Sequence, residues 1–140
     1  MNSIPPDIYD RVHELAVAMT NAVTANDEPL QNSLYATLLV FYEEQMQQGR
    51  SHPFLTEAVA DYTDAPAVAI RYYELALEQA RSFPSEPRHT KMISLAENLI
   101  GLGRIEEAEA YLRDGRAEAV RRNDSFWVED ADRLLLELSS

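Results

Sequence analysis

The fold of this chain is decided by residues 92–115, which read Met92-Ile-Ser-Leu95-Ala96-Glu-Asn-Leu99-Ile-Gly-Leu-Gly103-Arg-Ile-Glu-Glu-Ala108-Glu-Ala-Tyr-Leu112-Arg-Asp-Gly115. The first half places apolar side chains at spacings i, i+3, i+4 and i+7, which lie on one face of an α-helix. Two glycines interrupt this pattern, and a second helical pattern with spacing i, i+4 and i+7 follows them. Two helices with one apolar face each, joined by a tight glycine turn, are expected to pack as a helical hairpin.

This stretch resembles the tetratricopeptide (TPR) repeat, which carries large, apolar, small and large residues on its helix A and small, large and small residues on its helix B. The seven positions are filled in order by Met92, Leu95, Ala96, Leu99, Ala108, Leu112 and Gly115. The resemblance implies that the small residues let neighbouring helices approach closely. Val120 replaces the proline that usually closes the repeat, and its backbone N–H allows the second helix to continue to about Arg122.

Similar helix A patterns begin at residues 12 and 55, and a partial one begins at residue 127. Their spacings exceed the repeat period of about 34 residues, which implies longer loops early in the chain. We therefore predict an all-α fold of about seven helices in a single domain spanning residues 1–140. It is a short right-handed array of three TPR-like hairpins, at about 6–49, 51–82 and 85–122, followed by a capping helix at 125–138. The alternative is an irregular all-α bundle whose periodicity is accidental.

The first hairpin departs from the family pattern on its second helix. That helix is expected to turn inward the side chains of Leu30, Leu34, Leu38, Phe41 and Tyr42. These residues are bulkier than those that the repeat places on helix B, so we expect this hairpin to be splayed.

The composition is that of an ordinary globular domain, with 46% hydrophobic and 26% charged residues. The absence of cysteine excludes disulfides and thiolate chemistry and favours a reducing compartment. No signal-peptide pattern or apolar run of membrane-spanning length is visible, so we expect a cytoplasmic protein without membrane association.

The net charge of −12 is distributed unevenly. Residues 1–64 hold ten acidic residues against two arginines, whereas residues 65–140 hold fourteen acidic against ten basic residues. The acidity serves solubility or the recognition of a basic partner. Direct nucleic-acid binding is disfavoured because neutralising phosphates requires a basic surface.

No residue pattern indicates catalysis or a bound cofactor. His13-Glu14 begins like a zinc-protease motif, but Val17 stands where the second histidine ligand is needed. Glu86 and His89 imitate half of a di-iron site, but such a site requires a second Glu-x-x-His pair and further carboxylates. We therefore expect no catalytic residue, no metal and no cofactor.

The family resemblance implies a binding surface formed by helix A residues beside the core stripe. The corresponding positions are Asp10, His13, Val17, Thr56, Ala60, Thr90, Ile93, Glu97 and Ile100. Tyr72 is a further candidate because exposed tyrosines are favoured at interfaces, although partial burial against the neighbouring hairpin also explains it.

These features favour a non-catalytic protein–protein interaction module, either a monomer or a weak homodimer. Residues 51–112 resemble small bacterial TPR-type proteins that serve as immunity partners, which implies an immunity protein that binds and neutralises a toxin domain. A toxin that attacks nucleic acid would present a basic cleft to the acidic surface. The alternatives are a TPR-like chaperone or adaptor for a secreted protein and, from another class, an enzyme of unrecognised type.

Overall fold

The computed structural model describes residues 3–139, and all the regular structure in that range is helical. The helices are α1 (Pro6–Thr24), α2 (Glu28–Gln47), α3 (Pro53–Asp61), α4 (Pro66–Ala80), α5 (His89–Gly101), α6 (Ile105–Arg121) and α7 (Ser125–Leu138). The prediction of an all-α fold with about seven helices is confirmed.

The helix ends follow from local sequence chemistry. Helices α1, α3 and α4 begin at Pro6, Pro53 and Pro66, whose fixed φ angle suits the first turn of a helix. Gly49 and Gly103 follow α2 and α5 with φ angles of +72° and +77°. This left-handed conformation costs glycine little and ends a helix. The glycine turn predicted between α5 and α6 is therefore present.

The apolar core consists of two clusters of buried residues. The N-terminal cluster, from α1–α3, comprises Ile8, Val12, Leu15, Met19, Leu38, Tyr42, Leu55, Ala58 and Val59. The C-terminal cluster comprises Ala60, Ala69, Ile70, Tyr73, Leu77, Met92, Ile93, Leu95, Ala96, Leu99, Ala108, Leu112, Ala131 and Leu134. The partly buried ring of Tyr72 packs against both clusters and joins them.

Each helix packs against the next one along the chain, and α1 also contacts α3 while α5 contacts α7. Hydrogen bonds from Thr90 and Lys91 to Glu57 also link α5 to α3, which lies two helices earlier in the chain. The right-handed sense of the array and its relation to TPR proteins stay predictions.

The small residues of the stretch 92–115 lie where α5 and α6 approach each other. Ala96 and Ala108 have no exposed surface, and Gly115 is buried. A Cβ atom on Gly115 would lie 2.8 Å from Cγ1 of Ile93, closer than side-chain carbons pack. The expected close approach at these positions is confirmed.

Helix α2 is the least buried of the long helices. Only Leu38, Tyr42 and Gln45 on it are buried, and Leu30, which the sequence placed inward, is 44% exposed. The prediction for Leu30 is wrong, because the buried residues of α2 begin only at Leu38, where the helix packs against α1, α3 and the Tyr72 ring of α4.

A candidate binding cleft between the first and third helices

The ten residues predicted to bind a partner do not share one open surface. Four of them are exposed: Asp10, His13, Val17 and Glu97. Three are partly buried: Tyr72, Thr90 and Ile100. The remaining three, Thr56, Ala60 and Ile93, are buried.

The three buried residues are held inside by specific neighbours. The Thr56 hydroxyl donates to Oε1 of Gln79 on α4 at 2.6 Å. Ala60 belongs to the C-terminal cluster, and Ile93 fills the space that Gly115 leaves on α6. These side chains are part of the interior rather than of a groove.

A cleft of about 280 Å³ opens between α1 and α3. Its lining comprises Tyr9, Val12, His13, Ala16, Phe54, Glu57, Ala58, Asp61 and Tyr62. Three of the rings form a stack in which Tyr9 lies between Phe54 and His13, with centroid distances of 5.6 Å and 6.2 Å. The cleft therefore combines an aromatic wall with two carboxylates.

Glu57 connects the cleft to a buried lysine. Lys91 has no exposed surface, and its ammonium group donates to Oε1 of Glu57 at 2.8 Å, Oε1 of Glu86 at 3.0 Å and the Pro87 carbonyl at 2.7 Å. All three donors of the ammonium group are used, as a buried charge requires. The other oxygen of Glu57 accepts the Thr90 hydroxyl at 2.7 Å.

Asp61 carries the second carboxylate of the cleft. Its Oδ1 accepts the hydroxyl of Tyr73 at 2.5 Å. Burial and the nearby Glu57 carboxylate raise the pKa of Asp61 to about 7, against the lowering effects of the Tyr73 hydroxyl and Lys91. The residue keeps part of its surface in water, so the carboxylate is at once crowded by neighbours and reachable from outside.

This polar cluster contains more negative than positive charge. Glu57 and Glu86 pair with the single ammonium group of Lys91, and Asp61 lies near enough for the charges of Glu57 and Lys91 to affect its pKa. His52 adds no balancing charge, because burial lowers its pKa. Its Nδ1 atom accepts the Phe54 N–H at 3.1 Å. Its Nε2 atom has no hydrogen-bond partner within residues 3–139.

A second cleft, of about 420 Å³, shares Asp61 and Tyr62 with the first. It reaches Asp64 and Tyr35, and it lies among α1, α2 and the loop after α3. Asp61 is the last residue of α3, where the helix dipole places partial negative charge. Both clefts are therefore electrostatically suited to a cation.

The sequence pair Glu86 and His89 is divided between two networks. Glu86 binds Lys91, whereas the ring of His89 lies 3.2 Å from Glu118 and 2.8 Å from Asp124. Burial opposes the ionisation of Glu118, but the backbone N–H of Arg88 and the hydrogen bonds of His89 lower its pKa overall. Across residues 3–139, no group of three or more histidine, cysteine or acidic residues is placed to hold a metal ion.

The sequence predicted His13 but not Glu57 and Asp61, which give the cleft its charge, nor the buried Lys91 that pairs with Glu57. One signal was present, since Lys91 is the only lysine beside eleven arginines. Helical spacing alone could not show it, because position 91 directly precedes the core stripe and its partners come from other elements.

No protein-family model matches the chain, and neither a curated protein nor a solved structure shows significant similarity to it. A search of residues 3–139 for membrane-crossing helices, by length and apolar character, yields none.

Proposed function

We propose that this protein is a non-catalytic interaction module that binds a protein partner through the acidic surface of α1–α3. Its most specific form is a cytoplasmic immunity protein that occupies the basic cleft of a toxin domain. The observation that carries the proposal is the uncompensated negative charge of this region, together with the open cleft between α1 and α3.

Most acidic residues of the N-terminal region lack an ion-pair partner. Among the described residues up to position 64, those without one are Asp10, Asp27, Glu28, Glu43, Glu44, Asp61 and Asp64. From position 65 to 139 the corresponding set is smaller: Glu74, Glu106, Asp114 and Glu129. Unpaired surface charge of one sign steers a partner of opposite sign and increases its association rate.

Two variants of equal charge change test whether this region makes the contact. The first neutralises Asp10, Glu43, Glu44 and Asp64 as asparagine or glutamine. The matched control neutralises Glu74, Glu106, Asp114 and Glu129 in the same way. Each variant is co-expressed with a candidate toxin encoded beside its gene, and growth and the association rate constant are measured.

We expect the N-terminal variant to lose growth rescue and to associate about tenfold or more slowly at low ionic strength, because steering acts through local charge. The control is expected to stay close to the parent. Equal losses in both variants would show that net charge alone causes the effect. If the protein rescues growth from none of the toxins encoded beside its gene, the immunity role is refuted.

The exposed predicted positions provide a narrower test on two different helices. Asp10→Lys changes a residue of α1 that directly follows Tyr9 of the cleft. Glu97→Lys changes a residue of α5 whose carboxylate lies 3.9 Å from Arg133. We expect the Asp10 variant alone to weaken binding strongly. Unchanged binding in both variants would refute the contribution of these helix A positions.

A further inference from the structure

We propose that the cleft between α1 and α3 receives an arginine side chain of the partner, which packs against the stacked rings of Phe54, Tyr9 and His13 and pairs through its guanidinium group with Asp61. This inference deepens the proposed function, because it states which chemical group the acidic region recognises.

The carboxylates near Lys91 outnumber its single positive charge. Two carboxylates, those of Glu57 and Glu86, pair with the one ammonium group of Lys91, and both oxygens of Glu57 already accept hydrogen bonds, from Lys91 and Thr90. Asp61 adds a third carboxylate nearby, in the same cleft as Glu57. Among residues 3–139 Asp61 has no ion-pair partner, and its Oδ1 accepts a hydrogen bond from a neutral hydroxyl, that of Tyr73. A cation entering from outside would reduce this excess of negative charge beside Asp61, whose pKa is raised by burial and by the nearby Glu57 carboxylate.

The wall of the cleft suits a guanidinium group in shape and chemistry. The stacked rings of Phe54, Tyr9 and His13 lie in the same cleft as Asp61, and Tyr9 is 47% exposed. A guanidinium group is planar, is weakly hydrated, stacks on aromatic faces and pairs with carboxylates through two parallel hydrogen bonds. An ammonium group is compact and strongly hydrated, so it uses an aromatic wall less well.

The cleft has the size of a single side chain. A volume of about 280 Å³ lies just below the range of about 300–1,000 Å³ that is typical of small-molecule pockets. The cleft therefore suits one inserted side chain rather than a helix or a strand. It also opens beside the end of α3, where backbone carbonyls add partial negative charge.

A small probe tests this inference without a known partner. Nα-acetyl-arginine amide is titrated into the ¹⁵N-labelled full chain, and amide chemical shifts are recorded. The neutral citrulline analogue and Nα-acetyl-lysine amide are titrated in parallel. We expect a saturable response at Tyr9, Phe54 and Tyr62 in the millimolar range, with citrulline weaker by about tenfold, because a hydrogen bond to a charged group is lost.

Two variants assign the response to the cleft. Asp61→Asn keeps an acceptor for the Tyr73 hydroxyl and is expected to weaken the arginine probe by about tenfold. Glu106→Gln removes an acid of α6 outside both the cleft and the acidic surface and is expected to leave probe binding unchanged. If Asp61→Asn does not fold, Tyr9→Ala replaces it, because this half-exposed ring can be removed with little effect on the core and weaker probe binding is again expected.

Three results would overturn the inference. They are an unchanged affinity in Asp61→Asn or Tyr9→Ala, equal binding of the citrulline probe, and tighter binding of the lysine probe. The outcome is separable from that of the toxin experiment. A probe that binds while growth rescue fails removes the immunity role alone, whereas rescue without probe binding moves the partner contact to another part of the acidic surface.

Discussion

The two core clusters differ in the side chains that separate their helices. In the C-terminal cluster, alanines at positions 96, 108 and 131 have no exposed surface, and Gly115 lets α6 rest directly on Ile93. In the N-terminal cluster, α2 contributes the large residues Leu38 and Tyr42, and α1 and α3 leave a cleft between them. Close helix packing encloses apolar surface, whereas wider packing leaves space that polar side chains can line. The hairpin whose second helix carries these bulkier residues is therefore bordered by an open cleft.

The charges of the two regions differ in the same sense. Arginines of α6 and α7 neutralise nearby acids, as in the pairs Arg116–Asp132 and Arg133–Asp130. The N-terminal region has only Arg11 and Arg50, which pair with Glu14 and Asp7. Within residues 3–139, the C-terminal region therefore holds fewer acids without an ion-pair partner than the N-terminal region does.

The largest expected effect is at Lys91, which joins α3 to α5. We expect Lys91→Met to lower the free energy of unfolding by about 3–5 kcal/mol, because Glu57 and Glu86 would remain as buried charges without a cation. Chemical denaturation at pH 7 measures the change.

Adding Glu57→Gln and Glu86→Gln to that variant removes the unpaired charges and should recover most of the lost stability. A Lys91→Met protein as stable as the parent would show that the carboxylates find other partners and that this junction does not hold the two regions together.

The second prediction compares two buried leucines. Leu112 and Leu38 are 0% and 1% exposed. We expect Leu112→Ala to cost about 3–5 kcal/mol and Leu38→Ala about 2–3 kcal/mol, because α2 buries fewer of its residues than α6 and can move more easily into the space left behind. Urea denaturation of both variants gives the comparison. The reverse order would mean that the N-terminal cluster is the more rigidly packed of the two.

The third prediction concerns the close approach of α5 and α6. We expect Gly115→Ala to destabilise the protein by about 1–2 kcal/mol, because overpacking against Ile93 outweighs the gain in helix propensity. Gly101→Ala is the matched control, since its Cβ would meet only a Pro66 carbon at 4.0 Å. Thermal unfolding of the pair checks this, and a stabilising Gly115→Ala would contradict the tight contact.

The smallest expected effect depends on pH. The folded pKa of Asp61 lies above its unfolded value, so the folded protein binds the proton more tightly and loses stability as the pH rises from about 4 to about 7. We expect Asp61→Asn to stabilise the protein by about 1 kcal/mol at pH 8, after allowing for solvent screening of this partly exposed group, and to have little effect at pH 4. Denaturation at both pH values is the measurement, and an equal effect at both would exclude ionisation as the cause.

Local patterns gave the helices and several of their ends, because helical periodicity, prolines in first turns and left-handed glycines act within a few residues. They also gave the close approach at Gly115, since a small residue within an apolar stripe has a direct steric meaning. The same patterns placed Thr56, Ala60 and Ile93 beside the core stripe, where they were predicted to be open. A position beside the stripe is open or buried according to the next helix, which no local pattern specifies.

The sequence by itself therefore determined the all-α class, the hairpin at 92–115 and the uneven distribution of charge. The packing of α3, α4 and α5 brings Asp61 to Tyr73 and brings Glu57 to Lys91, which is 34 residues away in sequence. No local pattern contains these contacts. These outcomes differ because the interactions involved act over different separations along the chain. Helix formation and helix termination depend on neighbours within one or two turns, whereas the balance of buried charge depends on which distant groups the packing of separate helices brings together.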